Sequence, residues 1–171
     1  LTPLAIDGAH PFPFLPNQSI TMVCALINKK GKLSYSLVIF PPKLQRFFKV
    51  SNPNNFAKSE DIIKNNIKII FPDFKLKSFS LIRVIRDSDI EFEEEAEDLI
   101  LSFETALKKR RRGTVIGLYI QGRVEKQLLS FIKKSLKVSE ERIFRVNSLL
   151  DIKSLNDNVE NADQELKIKK I

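Results

Sequence analysis

The alternation of apolar and polar residues in the first third of the chain predicts strands. An apolar, β-branched run at 19–27 and an alternating run at 33–40 flank the polar residues 28–31, a pattern typical of a β-hairpin. Pro41-Pro42 ends the second strand, and the run 44–50 predicts a third. Later runs predict strands at 79–86, 115–120 and 143–146.

Helical periodicity follows the third strand. Ser59 is the predicted N-cap of a first helix, with Glu60 and Asp61 in its first turn and Pro72 ending the run. Its apolar positions are Ile62, Ile63, Ile67 and Ile70. A second helix is predicted at 93–112, with Gly113 as its C′ residue, and a third at 125–136.

The order of these elements, βββ-α-β-α-β-α-β, predicts an α+β fold: a single domain with a mixed sheet and three to four helices. Before the first strand, 1–17 contains four prolines, which favours extended or turning chain. After 150 the chain becomes polar. We therefore expect a domain over 1–150 and a tail over 151–171 that is partly helical or loose.

Composition indicates which partners and which cell compartment suit this domain. Hydrophobic residues make up 43% of the chain, enough for a core, and the net charge of +8 favours polyanionic partners or a lysine-rich surface in water. Cys24, the single cysteine, lies in an apolar run and is expected to be buried, as in a reducing cytoplasm. We find neither a run long enough to span a membrane nor a secretion signal, so we expect a cytoplasmic protein.

The sequence lacks the groups that phosphate or metal chemistry needs. It contains one histidine, His10 in a proline-rich segment, and neither a Walker loop nor a GxGxxG pattern. Asp87 and Asp89 are a candidate pair for Mg²⁺, but two neighbouring carboxylates supply few of the oxygens that such ions take. Backbone hydrogen bonds that end the strand explain these aspartates better. We predict no catalytic, cofactor or metal residue.

Arginines are the candidate contacts to a polyanion. Arg83 and Arg86 are three positions apart in a strand, so they face opposite sides of it, and we expect one of them to pair with a carboxylate. Arg110, Arg111 and Arg112 end the basic run that closes the second helix. Their forked guanidinium groups suit phosphate oxygens, whereas the dipole of the helix explains their position without a ligand.

Several stretches together resemble one family. The opening Leu1-Thr2-Pro3-Leu4-Ala5-Ile6-Asp7, then His10-Pro11-Phe12-Pro13-Phe14-Leu15 and Asn17, resembles the start of the head (middle) domain of bacterial polyphosphate kinase of the phosphohistidine type. Further matching stretches are Pro41-Pro42 with Leu44, Arg46 and Phe47; Arg83 to Asp89 with Glu93 to Leu99; Arg110 to Arg112; and Ile143 to Val146. The resemblance runs in order over 1–150. Gln45 departs from it, because the family has a proline there.

The resemblance implies a function for a longer enzyme. Such kinases transfer the terminal phosphate of ATP reversibly to polyphosphate with Mg²⁺, through a phosphorylated histidine in C-terminal domains. ATP binding, Mg²⁺ and the phosphoprotein character would thus belong to the parent enzyme. The head domain takes part in dimer contacts, so its partners would be the remaining domains, a second copy and polyphosphate. His10 does not correspond to the phosphorylated histidine.

We therefore expect a non-catalytic head domain that serves dimerisation and scaffolding and is inactive alone. The alternative is a basic module that binds nucleic acid or another polyanion, which would expose aromatic side chains on a sheet beside cations. The phenylalanines, however, fall mostly at positions expected to be in the core. A third hypothesis is an independent enzyme that uses Asp87 and Asp89 with Mg²⁺.

Overall fold

A computed structural model describes residues 3–6, 11–50, 55–87 and 113–155 of the chain. Within these ranges the strands are β1 Pro3–Ile6, β2 Ile20–Asn28, β3 Leu33–Ile39, β4 Phe47–Lys49, β5 Phe56–Lys58, β6 Phe74–Arg86, β7 Val115–Gln121 and β8 Ile143–Val146. The helices are α1 Ser59–Asn65, α2 Ile67–Ile70 and α3 Lys126–Leu136. Two 3₁₀ turns, Glu140–Arg142 and Ile152–Leu155, complete the described elements.

A mixed sheet of six strands forms the centre of the fold. Its order is β1-β3-β2-β6-β7-β8, and β4 and β5 form a separate two-stranded sheet. Neighbours pair antiparallel except β7 and β8, which are parallel because α3 carries the chain back between them. The predicted α+β class and the hairpin of β2 and β3 are confirmed.

Helices on both sides of the sheet bury its central strands. Along β2, alternate residues belong to two clusters: Val23 packs with α3 on one face, and Cys24 packs with α1 and α2 on the other. Residues on both faces of this strand are consequently buried, which explains why the run 19–27 is almost continuously apolar. The predicted burial of Cys24 is confirmed, and this burial raises the pKa of its thiol to about 12.

The first predicted helix differs in its start and its length. Lys58, rather than Ser59, occupies the N-cap, and no side chain caps the helix there. Asn66 interrupts the periodic run, so that α1 and α2 are separate; its side-chain amide donates to the Ile62 carbonyl at 2.8 Å. An asparagine that bonds to nearby backbone competes with the helical hydrogen bonds, and the isoleucine spacing did not predict this break.

Strand pairing changes other predicted boundaries. The predicted strand 44–50 contracts to β4 because it pairs with short β5 outside the main sheet, whereas β6 begins five residues before the predicted 79. Part of the proline-rich opening forms the edge strand β1. Gly113 does not have the positive φ expected of a C′ glycine; a Cβ there would stand 1.9 Å from the Asp87 carbonyl oxygen. The predicted helix 93–112 lies outside the described residues.

Candidate functional site

Three stretches that carry the family resemblance meet at one groove of about 450 Å³. Pro16 and Asn17 come from the N-terminal segment, Pro41, Pro42 and Arg46 from the chain after β3, and Arg83 from β6. We call it the Arg83 groove. The three stretches are separated by 24 to 67 positions in the chain, so the sheet and its connections bring them together.

Arg83 links the turn before β2 to the segment after β8 across this groove. Its Nη1 donates to the Leu150 carbonyl at 2.8 Å and its Nη2 to Oε1 of Gln18 at 3.1 Å. Asp151 supplies a carboxylate whose Oδ1 lies 3.8 Å from Nη1, with both side chains partly exposed. Arg83 thus has the carboxylate partner that the sequence predicted for one of the two arginines.

Arg46 contributes a buried charge at the base of the groove. Its Nη2 lies 2.9 Å from Oε1 of Glu60, and the two side chains are 5% and 6% exposed. The guanidinium carbon also lies 5.3 Å from the centre of the Phe40 ring. The backbone reinforces this pairing, because the Ser59 amide donates to the Arg46 carbonyl at 2.8 Å. Arg46 therefore ties the chain after β3 to the first turn of α1.

Arg86 lies on the other side of β6 and fixes the N-terminal segment. Its Nε donates to the Leu15 carbonyl at 2.9 Å, its Nη1 donates to the Gly113 carbonyl at 2.7 Å, and the Phe14 ring centre is 4.2 Å from the guanidinium carbon. Its backbone amide donates to Oδ1 of Asn17. Burial lowers the pKa of this guanidinium. The predicted opposite orientation of Arg83 and Arg86 agrees with these partners.

The remaining predicted residues are distributed differently. Arg110, Arg111 and Arg112 lie outside the described residues, as do His10 and Asp89. The Asp87 amide donates to the Thr114 carbonyl at 2.9 Å, which joins the ends of β6 and β7. Of the five predicted arginines, the structure describes Arg83 and Arg86, which both lie on β6. Contact of the five arginines with a polyanion stays a prediction.

Sequence reasoning missed the buried pair of Arg46 and Glu60. Glu60 was explained by the helix dipole alone, although it is buried in the first turn of α1. A charge flanked by apolar Leu44 and Phe47 in a predicted strand was the available indication that Arg46 is enclosed. Which carboxylate pairs with it could not be predicted, because Glu60 lies fourteen residues away and reaches Arg46 only through the packing of α1.

Two further observations bear on the chemistry of the described part of the chain. Within it, no three His, Cys, Asp or Glu side chains lie together in a way that would hold a metal ion. Among its helices, none is long and apolar enough to cross a membrane. The described phenylalanines are less enclosed than expected: Phe40, Phe47 and Phe71 are buried, but Phe14 and Phe144 are 44% and 46% exposed.

The fold and the groove define a mixed-sheet α+β domain whose arginines bind its own backbone. The chain belongs to the family described as "Polyphosphate kinase middle domain", whose model matches residues 1–157. That match confirms the family that the resembling stretches predicted.

Individual relatives agree with this family. The chain is 34% identical over 168 residues to a polyphosphate kinase of Erythrobacter litoralis, covering 98% of the chain and 23% of that protein. It is 32% identical to polyphosphate kinases of Campylobacter jejuni subsp. doylei and Streptomyces coelicolor, each over 91% of the chain and over 23% and 21% of those proteins. The chain thus spans about a quarter of the length of these relatives.

A solved structure has a similar fold. The crystal structure of polyphosphate kinase from Porphyromonas gingivalis superposes with a TM-score of 0.65 at 19% identity, over 96% of this chain and 23% of that one. At this identity the likeness concerns the fold.

Proposed function

We propose that this chain is the non-catalytic middle domain of a polyphosphate kinase, which holds other parts of the enzyme in position and contributes to its dimer. The parent enzyme would transfer phosphate between ATP and polyphosphate with Mg²⁺ in the cytoplasm. The family and the quarter-length coverage of its relatives support the placement in a larger enzyme.

The observation that supports the scaffold role is that Arg83 and Arg86 both donate hydrogen bonds to the backbone of distant segments. Both project from β6, and their guanidinium groups bind carbonyls of Leu15, Gly113 and Leu150. Hydrogen bonds from a charged donor are stronger than neutral ones, so one central strand fixes both the N-terminal segment and the end of the described chain. Such an arrangement keeps two distant chain segments at a set position relative to the sheet.

A domain exchange tests this function. Residues 1–157 would replace the matching region of the full-length Campylobacter jejuni relative, and we expect a dimeric chimera that makes polyphosphate from ATP. Arg83→Ala with Arg86→Ala in the chimera should lower this activity, whereas Lys43→Ala with Lys68→Ala, a matched control at exposed positions, should not. A folded chimera without activity would contradict the proposal.

The isolated chain supplies the complementary measurement. Incubated with labelled ATP, Mg²⁺ and polyphosphate, it should neither become labelled on a side chain nor release ADP. Label on the chain, or ADP release, would favour the independent enzyme and overturn the non-catalytic role.

A polyanion-binding module is the second candidate, favoured by one pair of stacked rings of which one is exposed. Tyr119 of β7 and Phe144 of β8 stack with centroids 5.0 Å apart and planes inclined by 24°, and Phe144 is 46% exposed. Exposed aromatics on a sheet stack on nucleic-acid bases. For this module we expect sub-micromolar binding of single-stranded RNA with a steep salt dependence, lost in Phe144→Ala. Weak binding that the substitution leaves unchanged would rule it out.

A further inference from the structure

The exposed side of α3 forms a basic groove that the proposed function does not yet use. The helix contains three lysines and no acidic residue, while Leu128, Ile132 and Leu136 occupy its buried side. A groove of about 570 Å³ runs along the exposed side. The polar residues that line it are Lys126, Ser130, Lys133, Lys134, Lys137 and Ser139. We call it the lysine groove.

The lysines form a row rather than a cluster. Lys126, Lys133, Lys134 and Lys137 are separated by seven, one and three positions, which places them along one side of the helix. At 1.5 Å per residue the row is about 16 Å long. Lys133 is already paired with the carboxylate of Glu140. A compact anion would contact one end of the row, whereas a linear polyanion would reach Lys126, Lys134 and Lys137 together.

The helix dipole accounts for only part of this row. Lys133 and Lys134 lie in the last turn, where cations are favourable. Lys126, however, begins the helix, where the dipole disfavours a cation. The neighbouring carboxylate of Glu125 accepts hydrogen bonds from Lys77 and Ser78 of β6, and these bonds lower its pKa. Glu125 is therefore engaged with the sheet rather than with Lys126.

Lys137 is the second unusual position. It follows α3 with φ of 52° and ψ of 43°, the left-handed conformation that glycine adopts without steric cost and that commonly ends a helix. A lysine here is less favourable for the fold than a glycine. It does, however, extend the basic row past the end of the helix.

The residues of the groove select among polyanions. Lysine is a point charge that suits phosphate, and serine hydroxyls donate hydrogen bonds to phosphate oxygens. None of the described residues that line the groove is aromatic, although a nucleic acid would gain much of its affinity from bases stacked on rings. The nearby Phe131 ring is stacked on Tyr35 instead, with centroids 3.8 Å apart. These features favour a chain of phosphates without bases.

We propose that the lysine groove on α3 binds inorganic polyphosphate along its length. The inference rests on the proposed function for the source of the ligand, but binding requires no phosphate transfer. The groove would hold the polymer on the middle domain, and its Lys137 end adjoins a second groove that Arg86 lines.

Titration of the 171-residue chain with polyphosphate of defined length, at two salt concentrations, tests the proposal. Lys126→Ala with Lys134→Ala should raise Kd about five-fold for each lysine removed. The slope of log K against log salt should fall by about one for each. The matched control is Lys43→Ala with Lys68→Ala, which removes the same charge from exposed segments on the opposite face of the sheet. An equal loss in the control would overturn the proposal.

Lys137→Gly separates binding from stability. The substitution should raise Tm, because glycine adopts the left-handed conformation freely, and should nevertheless weaken polyphosphate binding several-fold. A variant with raised Tm and unchanged Kd would contradict a role for Lys137 in the row.

A competition with single-stranded RNA of equal charge completes the test. RNA should displace polyphosphate weakly; displacement at equal charge concentration would make the groove a general polyanion surface and overturn the assignment. If the chain does not bind polyphosphate but the chimera is active, only the proposed binding at the lysine groove is rejected. If the chain binds polyphosphate but the chimera is inactive, only the proposed function is rejected.

Discussion

At the scale of single residues, the buried pair of Arg46 and Glu60 illustrates how a charge can serve the fold. Removing two charges from water costs several kcal/mol for each ion, and the attraction between them offsets this only when the geometry is good. Their separation of 2.9 Å and the nearby Phe40 ring supply that geometry. Breaking the pair removes the counter-ion that Oε1 of Glu60 supplies to a buried guanidinium, which is less favourable than removing both charges.

Glu60→Ala should therefore lower the free energy of unfolding by about 3–5 kcal/mol, measured by urea denaturation. The double variant Arg46→Met with Glu60→Leu should be closer to the original protein than Glu60→Ala, because no charge stays buried. Asp73→Ala is the matched control. It breaks the exposed pair with Lys29 and should change stability far less. Equal effects of Glu60→Ala and Asp73→Ala would contradict the role given to burial.

At the scale of elements, β6 organises the domain because it contacts neighbours on both edges and both faces. It pairs with β2 and β7, and its two arginines hold segments that have no regular structure of their own. The turn after Pro16 is fixed in the same way, since the Gln18 amide donates to the Val84 carbonyl at 2.8 Å. The N-terminal segment 11–19 thus depends on β6 for its conformation.

Arg86→Ala should release this segment while the sheet persists. We expect faster hydrogen exchange at Gln18 and easier proteolysis within 11–19, with unchanged protection in β2. Arg86→Lys should behave similarly, because an ammonium group cannot reproduce the two directed contacts of the guanidinium. Arg123→Ala, an exposed control, should leave exchange unaltered. Unchanged exchange at Gln18 in Arg86→Ala would refute the anchoring role.

At the scale of the whole molecule, one sheet separates two apolar clusters that share its central strands. The cluster with α3 contains Ile132, and the cluster with α1 and α2 contains Cys24. Because β2 contributes alternate residues to both, loss of packing on one face must disturb the other. The two clusters are therefore expected to unfold together.

Ile132→Ala tests this coupling through Cys24. The substitution should cost about 2–5 kcal/mol and speed labelling of the thiol on the far side of the sheet. Labelling reports unfolding because burial raises the pKa of this thiol to about 12 and suppresses the reactive thiolate. Ile69→Ala, at a 79% exposed position, is the control and should leave the rate unchanged. If the two faces of the sheet unfold independently, the labelling rate of Cys24 should be unchanged in Ile132→Ala.

The sequence by itself determined the elements that depend on local periodicity, and the family. The hairpin of β2 and β3, the buried side of α3 and the burial of Cys24 follow from patterns within single segments. The family followed from several stretches read in order along the chain. Such features need no knowledge of which segments are neighbours in space.

Only the tertiary structure decided what distant segments do to one another. Short β1 and β5 are strands because partners stabilise them, and their own residues give too weak a pattern to predict them. The pairing of Arg46 with Glu60, the convergence of three stretches at the Arg83 groove and the use of Arg86 as an anchor depend on strand order and helix packing. These contacts stabilise the fold because side chains and carbonyls that are far apart in the chain are buried against each other on folding. The order of residues along the chain does not show which groups become neighbours in this way.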